Sequence, residues 1–210
     1  MNLAYTFAIP CIEGLIEGDL SALREDSSYL QSTLQDPDQP WIRSDNHHSL
    51  RVLQKYPELC KEIEDKFNSI VVELYSYDYD WWVTTSWITC TSKGDSIHPH
   101  NHNNCLWSGI LYYDEYYPDE LPPLILQNPY YDYKGLQLQA HSPYNPYTGN
   151  YTIKVKSGVL AFWPSHIMHR SDPLTTDFIR RSLAFNLFPR KLYGQAGDSR
   201  INIDWINDRK

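Results

Sequence analysis

From Trp81 onward the sequence consists of short apolar or alternating runs separated by Pro, Gly, Asn and Asp, a pattern typical of an antiparallel β fold. The chain contains 17 Tyr and 7 Trp beside only 9 Gly, and aromatic residues favour pleated, half-buried surfaces. The candidate strands, enough for a barrel or a double sheet, are Trp82–Thr91, Cys105–Tyr113, Leu121–Gln127, Tyr151–Lys156, Gly158–Trp163 and Arg181–Phe188.

Sequence patterns typical of α-helices occur only in the first third of the chain. Apolar residues between Leu50 and Leu74 recur at spacings of three and four with charged residues opposite, which predicts an amphipathic helix. Pro57 is expected to open its main part, because proline is tolerated in the first helical turn. A weaker helix is predicted from about Ser21 to Leu34, with Asp19 as its cap.

The chain shows no internal repeat or linker, so its 210 residues are predicted to form a single domain. The segment Tyr130–Asn150 lacks periodicity and is predicted to be a long loop, a common form for binding loops and lids. We divide the domain into a mainly helical support (1–80), a β core (81–190) and a C-terminal extension (191–210).

Charge and cysteine usage narrow the functional classes. The net charge of −8 gives no general attraction to nucleic acid or to an anionic membrane. No apolar run approaches the roughly 18 residues that a membrane helix requires, and the first residues lack the features of a signal peptide. The four cysteines form no Cys-x-x-Cys pair. We therefore expect a soluble cytoplasmic protein with reduced thiols.

Histidines are concentrated in the run His98-Pro99-His100-Asn101-His102. In an extended segment, side chains two residues apart lie on the same face, so two of these imidazoles could bind one metal ion. This spacing fits the pair His98 and His100 as well as the pair His100 and His102.

A further ligand must come from elsewhere in the chain, and His166 and His169 lie between two candidate strands. His169 is the better candidate, because a strand end after the Pro164-Ser165 turn could project back over the first pair. The alternation together with a distal histidine favours a metal site over ordinary hydrogen-bonded histidines. Neutral imidazole suits Zn, Cu, Fe and Ni, so the histidines alone do not identify the metal.

The Arg180-Arg181 pair opens the last candidate strand. In strict alternation Arg181 shares a face with Leu183, Phe185 and Leu187, and would enter an apolar interior. A buried guanidinium needs an anionic partner. That partner is either the carboxylate of a ligand or one of the protein's own Asp and Glu residues.

With these features in place, the chain resembles the Fe(II)- and 2-oxoglutarate-dependent oxygenases, in particular those of marine bacteria and cyanophages. The resemblance covers Trp81 to Pro189. Its blocks are Ser86-Trp87, Lys93-Gly94-Asp95, Pro99-His100-Asn101-His102, Trp107-Ser108-Gly109-Ile110-Leu111-Tyr112-Tyr113, Ser157-Gly158-Val159-Leu160-Ala161-Phe162-Trp163-Pro164-Ser165, His169 and Arg181-Ser182-Leu183-Ala184-Phe185-Asn186.

The resemblance implies a mainly β (α+β) fold, a double-stranded β-helix or jelly roll with supporting N-terminal helices. It implies an enzyme that hydroxylates its substrate with Fe(II), 2-oxoglutarate as cosubstrate and O2. The metal ligands would be His100, His102 and His169, since the family's first ligand commonly follows a proline.

The resemblance also implies a 2-oxoglutarate site. Arg181 would bind the distal carboxylate, helped by the hydroxyl of Tyr112, and Asn186 and Ser108 are further candidates for this site. The remaining candidates, held as secondary, are His98, His166, Trp163 and Arg180.

One residue departs from the family pattern, because the wider family has Asp or Glu where this chain has His102. Two other functions therefore stay open: a cupin-like three-histidine dioxygenase or isomerase that does not use 2-oxoglutarate, and a non-catalytic binding protein stapled by a metal. The expected partner is a protein or small-molecule substrate rather than nucleic acid or membrane, and a homodimer is compatible with the sequence.

Overall fold

The computed structural model of the chain describes residues 9–30, 51–75, 80–103, 105–129, 149–190, 192–193 and 201–202. Its helical elements are α1 (Ser21–Leu30), a 3-10 turn (Val52–Lys55) and α2 (Pro57–Tyr75). Pro57 begins α2 as predicted, and Asp19 Oδ1 accepts a hydrogen bond of 2.8 Å from the Ser21 N–H at the start of α1. No helix in this part of the chain has the length and hydropathy needed to span a bilayer.

Eleven strands are present among the described residues. Five of them precede residue 130, namely β1 (Ile12–Leu15), β2 (Trp81–Thr91), β3 (Ile97–His100), β4 (Trp107–Leu111) and β5 (Leu124–Leu126). The others are β6 (Tyr151–Ile153), β7 (Val159–Pro164), β8 (His169–Ser171), β9 (Arg180–Pro189), β10 (Leu192–Tyr193) and β11 (Ile201–Asn202).

The strands form two facing antiparallel sheets. The larger has the order β1-β7-β4-β9-β2, and the smaller has the order β3-β8-β5-β6. From β2 to β9 successive strands switch between the sheets, except for β5 and β6, which pair with each other in the smaller sheet. This arrangement makes the predicted double-stranded β-helix, or jelly roll. β1 adds a fifth strand at the β7 edge, and β10 and β11 form a separate two-stranded sheet.

Both faces of the larger sheet are buried, so alternate residues of its strands enter different apolar clusters. One face packs against α2, where the Phe67 ring lies 5.1 Å from that of Trp107 and 4.9 Å from that of Phe162. The opposite face, which includes Tyr112 and Trp163, belongs to a second cluster with residues of the smaller sheet. The metal-ligand candidates lie on this second side.

Five strands were missed in the sequence, namely β1, β3, β8, β10 and β11. Each has only two to four residues, too few to show a period of two. β1 lies within the segment 1–80 that was predicted as a mainly helical support, and it joins the larger sheet through register pairs such as Ile12 with Phe162. Much of the predicted loop Tyr130–Asn150, the end of the predicted helix after residue 30 and most of 191–210 lie outside the described residues.

Replacing Gly109 with alanine is expected to destabilise the fold. A Cβ at this position in β4 would lie 2.4 Å from Phe185 Cε2 and 2.9 Å from the Ala161 carbonyl oxygen. Overpacking of a buried site costs about 1–3 kcal/mol, and we expect the upper end because the sheet backbone cannot yield. Chemical denaturation should show this loss, whereas Gly14→Ala in β1, with nothing within 4 Å of the added Cβ, should be nearly neutral.

Candidate metal centre

The structure brings His100, His102 and His169 together between the two sheets. His100 ends β3, His169 begins β8, and the two are direct register partners. The ring centroids are separated by 4.2 Å (His100–His169), 5.0 Å (His102–His169) and 5.1 Å (His100–His102). One nitrogen from each ring lies within 4.8 Å of the others, a spacing that suits three ligands of one ion.

Backbone carbonyls orient two of these rings. His100 Nδ1 lies 2.8 Å from the His98 oxygen, and His169 Nδ1 lies 3.1 Å from the Ile167 oxygen. Because a carbonyl can only accept, each Nδ1 carries the proton and donates. Nε2 is then the unprotonated nitrogen that can bind a metal, as is usual for metal-ligating histidines.

His102 is held differently, because it lies beyond the end of β3. Its backbone N–H donates to the Ser165 carbonyl at 3.0 Å, and its ring packs against Trp87 with centroids 5.4 Å apart. Neither Ser165 nor Trp87 was predicted as a site residue, although both lie in the quoted blocks.

The environment keeps the imidazoles of His102 and His169 neutral. Burial, with a smaller contribution from the neighbouring His100, lowers the pKa of His102 to about 4 and that of His169 to about 3. Segments 96–113 and 157–169 contain no Asp, Glu, Lys or Arg. Three neutral nitrogen donors fit Fe, Zn, Cu or Ni. A bound dication would meet no carboxylate from these segments, which favours an anionic ligand beside it.

These pKa values predict that the metal-free protein loses stability in acid. The unfolded chain protonates His102 and His169 near pH 6.5, whereas the folded chain does so near 4 and 3. Stability is unaffected above 6.5 and falls as the pH drops toward 3, by several kcal/mol in all. Denaturant unfolding at pH 7 and 4.5 should show a smaller fall in the free energy of unfolding for the double variant His102→Gln, His169→Gln than for the wild type. An equal fall in both proteins would contradict the assignment of the acid sensitivity to these two histidines.

Two other candidate histidines lie outside the cluster. The His98 and His166 side chains are exposed, and each contributes its backbone oxygen, His98 to His100 and His166 to the Asn101 amide at 3.5 Å. Trp163, by contrast, is buried beside the cluster, with its ring centroid 5.0 Å from that of His169.

Arg180 reaches the same interior from β9. Its side chain is 4% exposed and donates to Thr91 Oγ1 (3.0 Å), the Pro122 carbonyl (3.0 Å) and Ser171 Oγ (2.8 Å). All three acceptors are neutral. Tyr112 is buried nearby, and although burial raises the pKa of its hydroxyl, the Arg180 charge acts in the opposite direction.

Arg181 points to the other face of β9, toward the side covered by the helices. Its guanidinium binds the Asp114 carboxylate through Nη2–Oδ1 (2.7 Å) and Nε–Oδ2 (3.1 Å). The alternation with Leu183 was therefore interpreted correctly, but the face it shares is not the face of the histidines. Of the two partners considered for Arg181, the structure supplies the protein carboxylate.

Ser108 and Asn186 lie on the histidine side of the larger sheet, where both side chains bind other protein groups. Ser108 Oγ donates to Asn186 Oδ1 at 2.9 Å and lies 2.9 Å from Ser165 Oγ. Asn186 Nδ2 donates to Thr85 Oγ1 at 3.1 Å. Ser171 was not predicted as a site residue, although it lies two residues after His169 and so shares its face.

Comparison with known proteins agrees with this geometry. Residues 85–186 match the profile of the family described as "Putative 2OG-Fe(II) oxygenase", where 2OG denotes 2-oxoglutarate. This range includes the three clustered histidines and Arg180. Among curated proteins no relative matches the chain.

Solved structures with the same fold share little sequence with the chain. A prolyl-4-hydroxylase from Pseudomonas putida superposes with a TM-score of 0.51 at 13% identity, covering 85% of this chain and 92% of the other. HygX from Streptomyces hygroscopicus, crystallised with nickel, 2-oxoglutarate and hygromycin B, gives 0.55 at 14% identity, with coverages of 85% and 82%. SnoN, an α-ketoglutarate-dependent epimerase from nogalamycin biosynthesis, gives 0.59 at 10% identity, with coverages of 91% and 83%.

Proposed function

We propose that the chain is a 2OG-Fe(II) oxygenase, because residues 85–186 match the profile of that family, and that it hydroxylates an organic substrate with His100, His102 and His169 as the ligands of Fe(II). We propose Arg180, rather than the adjacent Arg181, as the residue that binds the distal carboxylate of 2-oxoglutarate. Both assignments concern residues that lie between the two sheets, the histidines on the side of the smaller sheet and Arg180 on β9 of the larger one.

The observation that carries this proposal is the buried charge of Arg180. Its contacts are to neutral oxygens, and within the described part of the chain no carboxylate forms an ion pair with it. Burial of a cation without an anion is costly. An anionic ligand would remove that cost, and a carboxylate can accept two hydrogen bonds from one guanidinium.

The distance between Arg180 and the histidines suits a short dicarboxylate. Arg180 donates to Ser171, which lies on β8 two residues from His169. Two residues of strand span about 7 Å, similar to the length of the five-carbon chain of 2-oxoglutarate. The Tyr112 hydroxyl lies at the same end, where it could donate a second hydrogen bond because burial keeps it protonated.

When bound together, Fe(II) and 2-oxoglutarate supply O2 activation, in which 2-oxoglutarate becomes succinate and CO2 and one oxygen atom enters a substrate C–H bond. The chain's own residues bind and orient these two groups and shield them from water. The three imidazoles hold the ion without changing its charge, Arg180 and Tyr112 orient the dicarboxylate, and Trp163 excludes water beside His169.

A cupin-like reaction without 2-oxoglutarate would use the same three histidines but would give Arg180 no ligand. Arg180 therefore favours the oxygenase over this second function.

For the substrate we propose a protein or a small molecule, because the net charge of −8 disfavours nucleic acid. A reducing, cytoplasmic location fits the four free cysteines.

The proposal is tested by anaerobic titration of the metal-free protein with Fe(II) and then with 2-oxoglutarate. We expect a visible metal-to-ligand charge-transfer band when both are present, and succinate after O2 is admitted. Fe(II) binding without the band would support the cupin-like function instead. Absence of Fe(II) binding would refute both functions.

A further inference from the structure

The three histidines differ in how their backbones are fixed. His100 and His169 lie on paired strands, so the β ladder sets their positions. His102 lies in the loop after β3, and the described contact of its backbone is the hydrogen bond from its N–H to the Ser165 carbonyl. The position of this third histidine therefore depends on the position of Ser165.

Ser165 is itself fixed by several hydrogen bonds. Its backbone N–H donates to the Leu106 carbonyl at 3.0 Å. Its Oγ accepts from the Cys105 thiol at 3.1 Å and lies 2.9 Å from Ser108 Oγ. Ser165 is 1% exposed, so water cannot replace these partners.

The side-chain contacts of Ser165 continue across the larger sheet. Ser108 donates to Asn186, and Asn186 donates to Thr85. Since Asn186 Oδ1 can only accept, the Ser108 proton is directed to it, and Ser165 donates to Ser108 in turn. We call Ser165, Ser108, Asn186 and Thr85 the polar row. It connects the end of β7 with β4, β9 and β2, and each hydrogen bond supports the next.

From these contacts we infer that Ser165 is a positioning residue for His102, and that Ser108 and Asn186 act through Ser165. This inference rests on the proposed metal centre. In this inference Ser108 and Asn186 help to position the metal ligand His102 and do not bind 2-oxoglutarate. Mutation of a group that orients a metal ligand typically lowers the metal affinity about 10- to 100-fold.

The test compares Ser165→Ala and Ser108→Ala with Ser182→Ala. Ser182 is a matched control, because it is buried in the same sheet and its Oγ lies 2.6 Å from Thr89 Oγ1, but it has no contact with the polar row. Calorimetric titration with Ni(II) should show a loss of about 10- to 100-fold for the first two variants and no change for the control. The visible spectrum of bound Co(II), which reports ligand geometry, should shift in the same two variants only.

A double-mutant cycle separates a positioning role from a structural one. In a His102→Ala background, Ser108→Ala should no longer weaken Ni(II) binding, because the group it acts through is gone. An equal loss in both backgrounds would overturn the inference, as would wild-type affinity and spectra in both serine variants. If a serine variant fails to fold, Cys105→Ala removes one donor to Ser165 at a half-buried site and should cause a several-fold loss.

Ni(II) binding by the wild-type protein and by the serine variants distinguishes failure of the metal centre from failure of the positioning role. Wild-type protein that binds no Ni(II) would refute the metal centre and the proposed function with it. Wild-type binding that both serine variants retain unchanged would refute only the positioning role.

Discussion

His169→Ala is expected to abolish stoichiometric metal binding. His169 is the one ligand supplied by the smaller sheet's β8, its side chain is 4% exposed, and its Nδ1 is already committed to the Ile167 oxygen. Removing it leaves His100 and His102, and two neutral nitrogens bind a divalent ion much more weakly than three. Calorimetry with Fe(II) under argon should show at least a 100-fold loss of metal affinity. Mutation of a residue that only orients a metal ligand can already lower the affinity about 100-fold, and removal of the ligand itself should cost no less.

His98→Ala is the matched control for that variant. Its imidazole is exposed, and its contribution to the cluster is a backbone oxygen that alanine retains. Metal stoichiometry and affinity should therefore be preserved. Loss of metal in His98→Ala with retention in His169→Ala would show that the ligand set is wrong.

Arg180→Ala is expected to weaken 2-oxoglutarate binding by about 100-fold, or about 3 kcal/mol, the value of a strong hydrogen bond to a charged group. Metal affinity should persist, because the hydrogen bonds of Arg180 go to Thr91, Pro122 and Ser171 rather than to a histidine. The charge-transfer band measured against 2-oxoglutarate concentration gives the affinity directly. Arg180→Lys should restore part of it, since lysine keeps the charge but loses the two-pronged geometry.

Arg181→Ala provides the contrast on the neighbouring residue. It removes the partner of Asp114, whose carboxylate is buried and whose pKa is raised by that burial. The expected effect is a lower Tm with 2-oxoglutarate affinity close to that of the wild type. If Arg181→Ala, and not Arg180→Ala, weakens 2-oxoglutarate binding, the assignment of the two arginines is reversed.

The sequence predicted the β architecture and α2 because these elements are long enough to show their periods. β2 and β9 have 11 and 10 residues, and α2 has 19. The histidine cluster was also predictable, since the two-residue period of an extended chain brings His100 and His102 to one side. The resemblance to a family then chose His102 over His98 and His169 over His166, and the structure brings those three residues together.

Tertiary structure alone decided which arginine reaches the histidines. β9 is buried on both faces, so hydrophobic alternation separates Arg180 from Arg181 but does not show which face is which. Packing of α2 on the Leu183 and Phe185 face assigns Arg180 to the interior between the sheets.

The same limit applies to contacts between segments distant in the chain. Ser165 lies 63 positions after His102, and Thr85 lies 101 positions before Asn186. A local pattern determines which side of its own strand a residue faces, and that was enough to identify the histidines. Which residues meet across the sheet depends on strand order and register, and these are set by the packing of the whole domain.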